Sequence, residues 1–395
     1  MDKKTIRDVN FNDKRVLVRV DFNVPLDGDQ VTDETRIRAA VPTLKHILEQ
    51  KPKYMVLMSH LGRPKGERNP KFSLAPAAPV LAKHLGLDVA FVDNTIGDDV
   101  NKAIERLPEG GVLLLENTRF YGGEKKNDEE LSKKLAELGD IFVNDAFGSA
   151  HRAHASTVGV ADHLTAVAGL LLEKEINYLA NTIENPQHPF IAILGGAKVS
   201  DKIGVIETLL DKVDALLIGG GMANTFFKAQ GHEIGGSLVE EGAIATAKDL
   251  LAKGGDKLVL PVDVVIGDQF DNDAERRTIN IAAGVPDGWS IYDIGEQTFA
   301  TFAEKLSGAK VIVWNGPMGV FEMPNFAKGT FAVARMLAEE TEKGAISIIG
   351  GGDSAAAIED AGLADKITHI STGGGASLEM LEGKTLPGLA ALEDK

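Results

Sequence analysis

Short β-branched and apolar runs alternate with amphipathic stretches along almost the whole chain. In the first half the runs are Arg15–Val20, Tyr54–Met58, Asp88–Val92, Val112–Leu115 and Ile141–Val143. Between them Glu34–Gln50, Leu74–Leu85 and Asp128–Leu138 carry helical spacing. The second half repeats the pattern, with strands predicted at Phe190–Leu194, Ala215–Ile218, Lys257–Val262, Lys310–Trp314, Ala345–Ile349 and Ile367–Ile370. These runs lack the period-2 alternation of a half-exposed strand, so they predict parallel strands covered on both faces. The expected fold class is α/β, as two doubly wound parallel-sheet domains.

The segment Leu170–Ile183 reads as one amphipathic helix, and Glu184-Asn185-Pro186 stops it ahead of a new strand. The expected organisation is a first domain over 1–170, an interdomain helix over 171–186 and a second domain over 187–385. A helical connector is stiff with hinges at its ends. No short repeat or low-complexity segment interrupts the scheme.

Composition agrees. A chain of 395 residues exceeds one ordinary core, and 44% hydrophobic with 25% charged residues is globular rather than disordered. There is no cysteine, which excludes disulfides and thiolate metal sites. The opening stretch Asp2–Asn10 lacks an apolar core, and no apolar run approaches the ~18 residues of a membrane span, so a cytosolic protein is expected. A net charge of −16 argues against a nucleic-acid surface. It leaves room for a local anion site: ten of the thirteen arginines and six of the nine histidines precede residue 186. Arginine grips carboxylate and phosphate with a bidentate fork.

Ligands in open α/β sheets bind beyond the carboxyl ends of strands. In the second half those ends read Gly195-Gly196, Gly219-Gly220-Gly221, Gly316-Pro317, Gly350-Gly351-Gly352-Asp353 and Ser371-Thr372-Gly373-Gly374-Gly375. Glycine turns that open helices favour phosphate, through free backbone N–H groups and the helix dipole. Neither a P-loop nor a dinucleotide fingerprint is present. Instead Lys198 and Lys202, four apart after Gly195-Gly196, are predicted on one face of a starting helix, in reach of a polyphosphate. Asp353 reads either as a magnesium ligand or as a helix N-cap.

In the first half the strand ends are polar: Asp21 and Asn23, then Ser59-His60 with Arg63, then Glu116 to Arg119, then Asn144 to Arg152. With Arg36 near the start of the first helix, Arg36, Arg63, Arg119 and Arg152 are expected on one rim around a small polyanion. Each arginine alone reads equally as a structural ion pair, and His60 reads as a hydrogen-bonding residue more than a base.

These runs carry a resemblance. Arg19-Val20-Asp21-Phe22-Asn23-Val24-Pro25, Ser59 to Pro64, Leu115 to Phe120, Asn144 to His154, Leu194 to Lys202, Trp314-Asn315-Gly316-Pro317, Val320-Phe321-Glu322, Gly350 to Asp353 and Ser371 to Ala376 resemble the phosphoglycerate kinase family, in order, over essentially the whole chain. The resemblance implies that the first domain binds 3-phosphoglycerate through Asp21, Asn23, Arg36, His60, Arg63, Arg119 and Arg152. It implies nucleotide contacts from Lys202, Gly219, Gly220, Gly221, Gly295, Glu322, Gly351, Gly352, Asp353 and Ser354, with Asp353 on Mg²⁺. Ser354 stands where the family more often has threonine. The resemblance also gives catalytic roles to Arg36, Lys198, Gly374 and Gly375, a tail over 386–395 packing on the first domain, and a monomer. The implied reaction is in-line phosphoryl transfer between ATP and 3-phosphoglycerate after domain closure, with no protein nucleophile. Two other readings fit the rim alone, a cleft that binds an anionic solute without chemistry and a phosphotransferase for another carboxylate, such as an acetate- or carbamate-type kinase.

Overall fold

A computed structural model describes residues 2–395. The chain divides into two compact units: one runs to Asn177 and takes in Thr385–Lys395, and the other spans Tyr178–Lys384.

The first unit is built on six parallel strands: β1 (Arg15–Arg19), β2 (Tyr54–Met58), β3 (Val89–Val92), β4 (Gly111–Leu115), β5 (Ile141–Asn144) and β6 (Thr165–Ala168). They lie in the order β3-β4-β2-β1-β5-β6. Every residue of β2, β4 and β5 is buried, as their uninterrupted apolar character demands. The helix Thr35–Glu49 buries Ile37, Ala40, Leu44 and Ile47 at helical spacing against this sheet. Strand β6 goes beyond the five predicted, because its run Thr-Ala-Val-Ala carries little apolar signal. The tail belongs to this unit. Leu386 and Leu389 are fully buried, Gly388 N–H donates to Ala150 O at 2.8 Å, and Asn144 Nδ2 donates to Gly388 O at 3.3 Å.

The helix expected over Leu170–Ile183 is continuous but not regular. It is α-helical over Leu170–Glu175 and Asn181–Glu184, with a π-helical stretch at Ile176–Ala180 between. A π turn admits an extra residue and so rotates the following face. The chain passes from one unit to the other inside that stretch, at Asn177 and Tyr178.

The second unit adds β7 (Phe190–Leu194), β8 (Ala215–Ile218), β9 (Leu258–Val259), β10 (Asp263–Gly267), β11 (Arg276–Asn280), β12 (Ser290–Ile294), β13 (Val311–Asn315), β14 (Ile346–Gly350) and β15 (His369–Ile370). Its parallel sheet has the order β9-β8-β7-β13-β14-β15. Strands β9 and β15 are shorter than the predicted Lys257–Val262 and Ile367–Ile370. A separate antiparallel sheet, β11-β10-β12, was not predicted. Strand β11 reads Arg-Arg-Thr-Ile-Asn and is almost wholly exposed, so it offers no core-facing run to detect.

In both parallel sheets the winding reverses beside the first strand, between β1 and β5 and between β7 and β13. The crevice outside the carboxyl ends of such a pair is where this architecture binds ligands.

Candidate active site

In the first unit the residues after β1, β2, β4 and β5 meet around a cavity of about 190 Å³. Its wall includes Asn23, His60, Arg63, Arg119, Ser149 and Arg152. Asp21 and Arg36 stand outside that wall and pair with each other, Arg36 Nη1 to Asp21 Oδ2 at 2.6 Å. Asp21 joins the cavity through Asn23, whose N–H donates to Asp21 Oδ1 at 3.2 Å and whose Oδ1 accepts from Gly62 N–H at 2.8 Å. Burial opposes ionisation of Asp21, but the charges of Arg36 and Arg19 and the Asn23 N–H outweigh it and hold the carboxyl below its usual range.

His60 is 6% exposed, and its Nδ1 lies 3.0 Å from Arg19 Nη2. Burial, reinforced by Arg19, Arg119 and Arg36 against Asp21, holds the ring well below its ordinary pKa of 6.5. His60 is thus neutral at neutral pH and is no poised base. Arg119 is buried too, donating from Nη1 to Gly62 O at 2.8 Å. Burial and the nearby Arg19 charge push its pKa down to about 10. Arg119 Nε and Ser149 Oγ are buried with no hydrogen-bond partner among the described residues. Such orphaned groups in a native site call for a ligand. Ser149 and His151, which also lines the wall, were not singled out from sequence, although both lie inside the polar run Asn144–Arg152.

In the second unit a larger cavity of about 720 Å³ opens beside β7 and β13. Phe227, Leu238, Val264, Phe270, Ile291 and Tyr292 form an apolar wall, and Gly196, Gly220, Gly221, Glu322 and Asp353 also line it. Leu238 and Phe270 are 56% and 67% exposed, an apolar surface awaiting a cover. An apolar slot bordered by glycine turns suits a planar base carrying an anionic tail. Strands β10 and β12 supply much of that wall, so the sheet missed in sequence is part of the site. Asn224 was missed as well: it lines the cavity, is buried, and its Oδ1 has no partner among the described residues.

The glycine turns pack on each other. Gly196 N–H donates to Pro317 O at 3.0 Å, Gly220 N–H to Met318 O at 3.0 Å, and Met222 N–H to Gly196 O at 2.9 Å. Gly220 has φ +66°, and a Cβ there would sit 2.6 Å from Gly196 N and 2.7 Å from Pro317 O. Gly219 is buried beneath, against Met318.

One expectation changes here. Lys198 and Lys202 do not share a helix face, because the α-helix begins only at Ile203 after a 3₁₀ turn over Ser200–Lys202. Gly196, at φ +98°, turns the chain first. Lys198 is exposed, whereas Lys202 is buried and donates from Nζ to both the backbone O and the Oδ1 of Asn315. Burial, against Asp201 and Asp353, lowers the Lys202 pKa to about 8. Gly295 starts the helix Glu296–Leu306 against the Asp263 carboxylate and lines a smaller cavity of about 300 Å³ with Arg276, Arg277 and Lys328, which adjoins the larger one through Asp293 and Ile294.

Asp353 is the second residue of the helix Gly352–Asp360, whose N-cap is Gly351 at φ +93°. The capping alternative therefore falls away, and the exposed carboxylate faces the cavity. Ser354 is fully buried, its Oγ accepting from Gly316 N–H at 2.6 Å. Gly374, at φ +52°, caps the short helix Gly375–Leu381. Among the described residues no three acidic or imidazole side chains cluster for a metal. One carboxylate beside glycine turns suits Mg²⁺ carried on phosphate oxygens, not a protein cage. No helix of the described residues is long and apolar enough to cross a membrane.

A family model described as phosphoglycerate kinase matches residues 6–384. A phosphoglycerate kinase of Chloroflexus aggregans is 56% identical over 400 residues, covering all of both chains. A cytosolic phosphoglycerate kinase of Nicotiana tabacum is 56% identical over 395 residues, covering 99% of this chain and 98% of that one. The solved phosphoglycerate kinase of Coxiella burnetii superimposes with a TM-score of 0.89 at 44% identity, over 98% of each chain.

Proposed function

The chain belongs to the phosphoglycerate kinase family, and from that premise we propose how its two units share the reaction. The chemistry is reversible phosphoryl transfer between ATP and 3-phosphoglycerate, a step of glycolysis. The first unit holds 3-phosphoglycerate: Arg63, Arg119 and Arg152 take its phosphate and carboxylate charge, while Asn23 and His60 hydrogen-bond it, with Asp21 holding Arg36. The observation that carries this reading is the pair of buried, unpartnered atoms, Arg119 Nε and Ser149 Oγ, on residues lining one cavity of about 190 Å³.

The second unit holds the nucleotide, its base against the apolar wall and its phosphates toward Gly196, Gly220, Gly351 and Gly352. Lys202 and Glu322 are assigned to the same ligand. Asp353 would hold Mg²⁺, which when bound neutralises phosphate charge and fixes the geometry of the chain of phosphates. Arg36, Lys198 and the backbone N–H groups at Gly374 and Gly375 surround the migrating phosphoryl and offset the charge on its oxygens. No side chain acts as nucleophile, since the substrate carboxylate attacks ATP directly. Groups from two units must reach one phosphoryl, so the reactive state is a closed one, and the π-helical stretch Ile176–Ala180 is the hinge candidate. Within the same reading the enzyme is a cytosolic monomer, the location supported by its tobacco relative.

Coupled turnover with ATP and 3-phosphoglycerate, followed by separate titrations of each ligand into Arg119→Ala, tests the scheme. Weakened 3-phosphoglycerate binding with intact ADP binding is expected. Unchanged 3-phosphoglycerate affinity would remove the substrate from this cavity.

A further inference from the structure

A chain of buried polar groups runs behind the cavity wall of the first unit. Glu124 is fully buried, and its carboxylate accepts from Ser156 N–H at 3.0 Å, Ser156 Oγ at 2.5 Å and Thr118 Oγ1 at 3.1 Å. Ser156 Oγ in turn accepts from Arg19 Nε at 2.8 Å, and Arg19 Nη2 reaches His60 Nδ1 at 3.0 Å. Arg19 is fully buried.

We propose that Arg19, steered by Ser156 and Glu124, is a positioning residue that fixes His60 as the neutral Nε2–H tautomer and so presents a hydrogen-bond donor to the bound anion. A guanidinium has donors and no acceptor, so the ring atom facing it must be an unprotonated nitrogen. The proton of a neutral ring then has only Nε2 to occupy. A doubly protonated ring would set N–H against N–H and cation against cation. Ser156 locks the direction of the relay: its hydroxyl proton goes to Glu124, leaving its oxygen to accept from Arg19. Glu124 also supplies the counter-charge that makes a fully buried guanidinium tolerable. The role of the ring toward 3-phosphoglycerate rests on the function proposed above; its tautomer does not.

Nitrogen-15 NMR of the histidine-labelled enzyme, with His60 assigned by comparison with His60→Gln, reads the ring directly. At neutral pH, without ligand, Nδ1 should show the unprotonated signature and Nε2 the protonated one. An Nδ1–H or cationic ring overturns the proposal. In Ser156→Ala, which leaves Arg19 Nε without its acceptor, and in Arg19→Met, which removes the donor, the ring should become a tautomer mixture. KM for 3-phosphoglycerate should rise about tenfold, the loss of one hydrogen bond to a charged group, with kcat and the KM for ATP near wild type. A pure Nε2–H spectrum in Arg19→Met, which has no donor to offer, shows that Arg19 is not what sets the tautomer. If either variant fails to fold, the wild-type spectrum still decides the matter. A correct tautomer with unchanged 3-phosphoglycerate affinity in His60→Gln would instead count against the substrate placement alone.

Discussion

Arg36 Nη1 and Asp21 Oδ2 lie 2.6 Å apart, and the pair joins the first turn of the helix Thr35–Glu49 to the end of strand β1. The carboxyl of Asp21 stays ionised through its cationic neighbours, so Arg36 is held by one donor while the rest of its fork is left to a ligand. Replacing Arg36 by Ala removes charge stabilisation at the phosphoryl. The expected result is a kcat lower by about 10³ with ADP affinity nearly unchanged. Steady-state kinetics beside ADP calorimetry checks it, and a near-normal kcat would remove Arg36 from the catalytic set.

Asp353 lies exposed in the first turn of its helix, where its side chain caps nothing. Asp353→Ala should therefore leave the fold intact and weaken Mg–ADP binding by about tenfold or more. Binding of ADP in EDTA should differ far less between variant and wild type. Calorimetry with and without Mg²⁺ separates the two, and equal losses in both would exclude a metal role.

Lys202 sets a pH dependence. Burial lowers its pKa from 10.5 to about 8, so between those values the native state binds fewer protons than the unfolded chain. Stability then rises with pH across that window, and the cost of burying the ammonium is fully present below it. Its attraction for phosphate runs the other way and fades as pH passes about 8. ADP affinity should fall from about pH 7 to about pH 9 in the wild type and fall less in Lys202→Met. Parallel pH profiles in the two proteins would mean that Lys202 does not meet the nucleotide.

Gly220 occupies a left-handed conformation where a Cβ would press on Gly196 and Pro317. Gly220→Ala should cost about 1–3 kcal/mol of stability and weaken nucleotide binding, because the three turns move together. Chemical denaturation with ADP titration measures both. A variant as stable as wild type would show that the turns yield easily.

Much of the fold was legible because buried parallel strands are written as unbroken apolar runs, as in Met55-Val56-Leu57 and Ile191-Ala192-Ile193. The polar strand ends were legible for the same reason: a polar group directly after such a run has to be used. Strand β6 and the sheet β11-β10-β12 were not: β6 is short and built of small residues, β11 is exposed, and the apolar run of β10, Val264-Val265-Ile266, is three residues long and lies directly behind the predicted run Lys257–Val262. The regular helix expected over Leu170–Ile183 failed to anticipate the π-helical stretch, because apolar spacing registers a face and not the number of residues per turn.

The sequence by itself determined two parallel α/β sheets, an arginine-rich first half and a glycine-turned second half, because burial and backbone freedom are local properties of residue type. Tertiary structure decided which of those residues act together. It turned Lys202 inward onto Asn315 and left Lys198 in solvent, though the two are four apart. It set Gly295 beside a smaller cavity that adjoins the one Asp353 lines. It brought Glu124, Ser156, Arg19 and His60 into one chain of hydrogen bonds from four separate segments. Proton positions and charge depend on neighbours a few ångströms away, and those neighbours are chosen by the fold, not by the order of the residues.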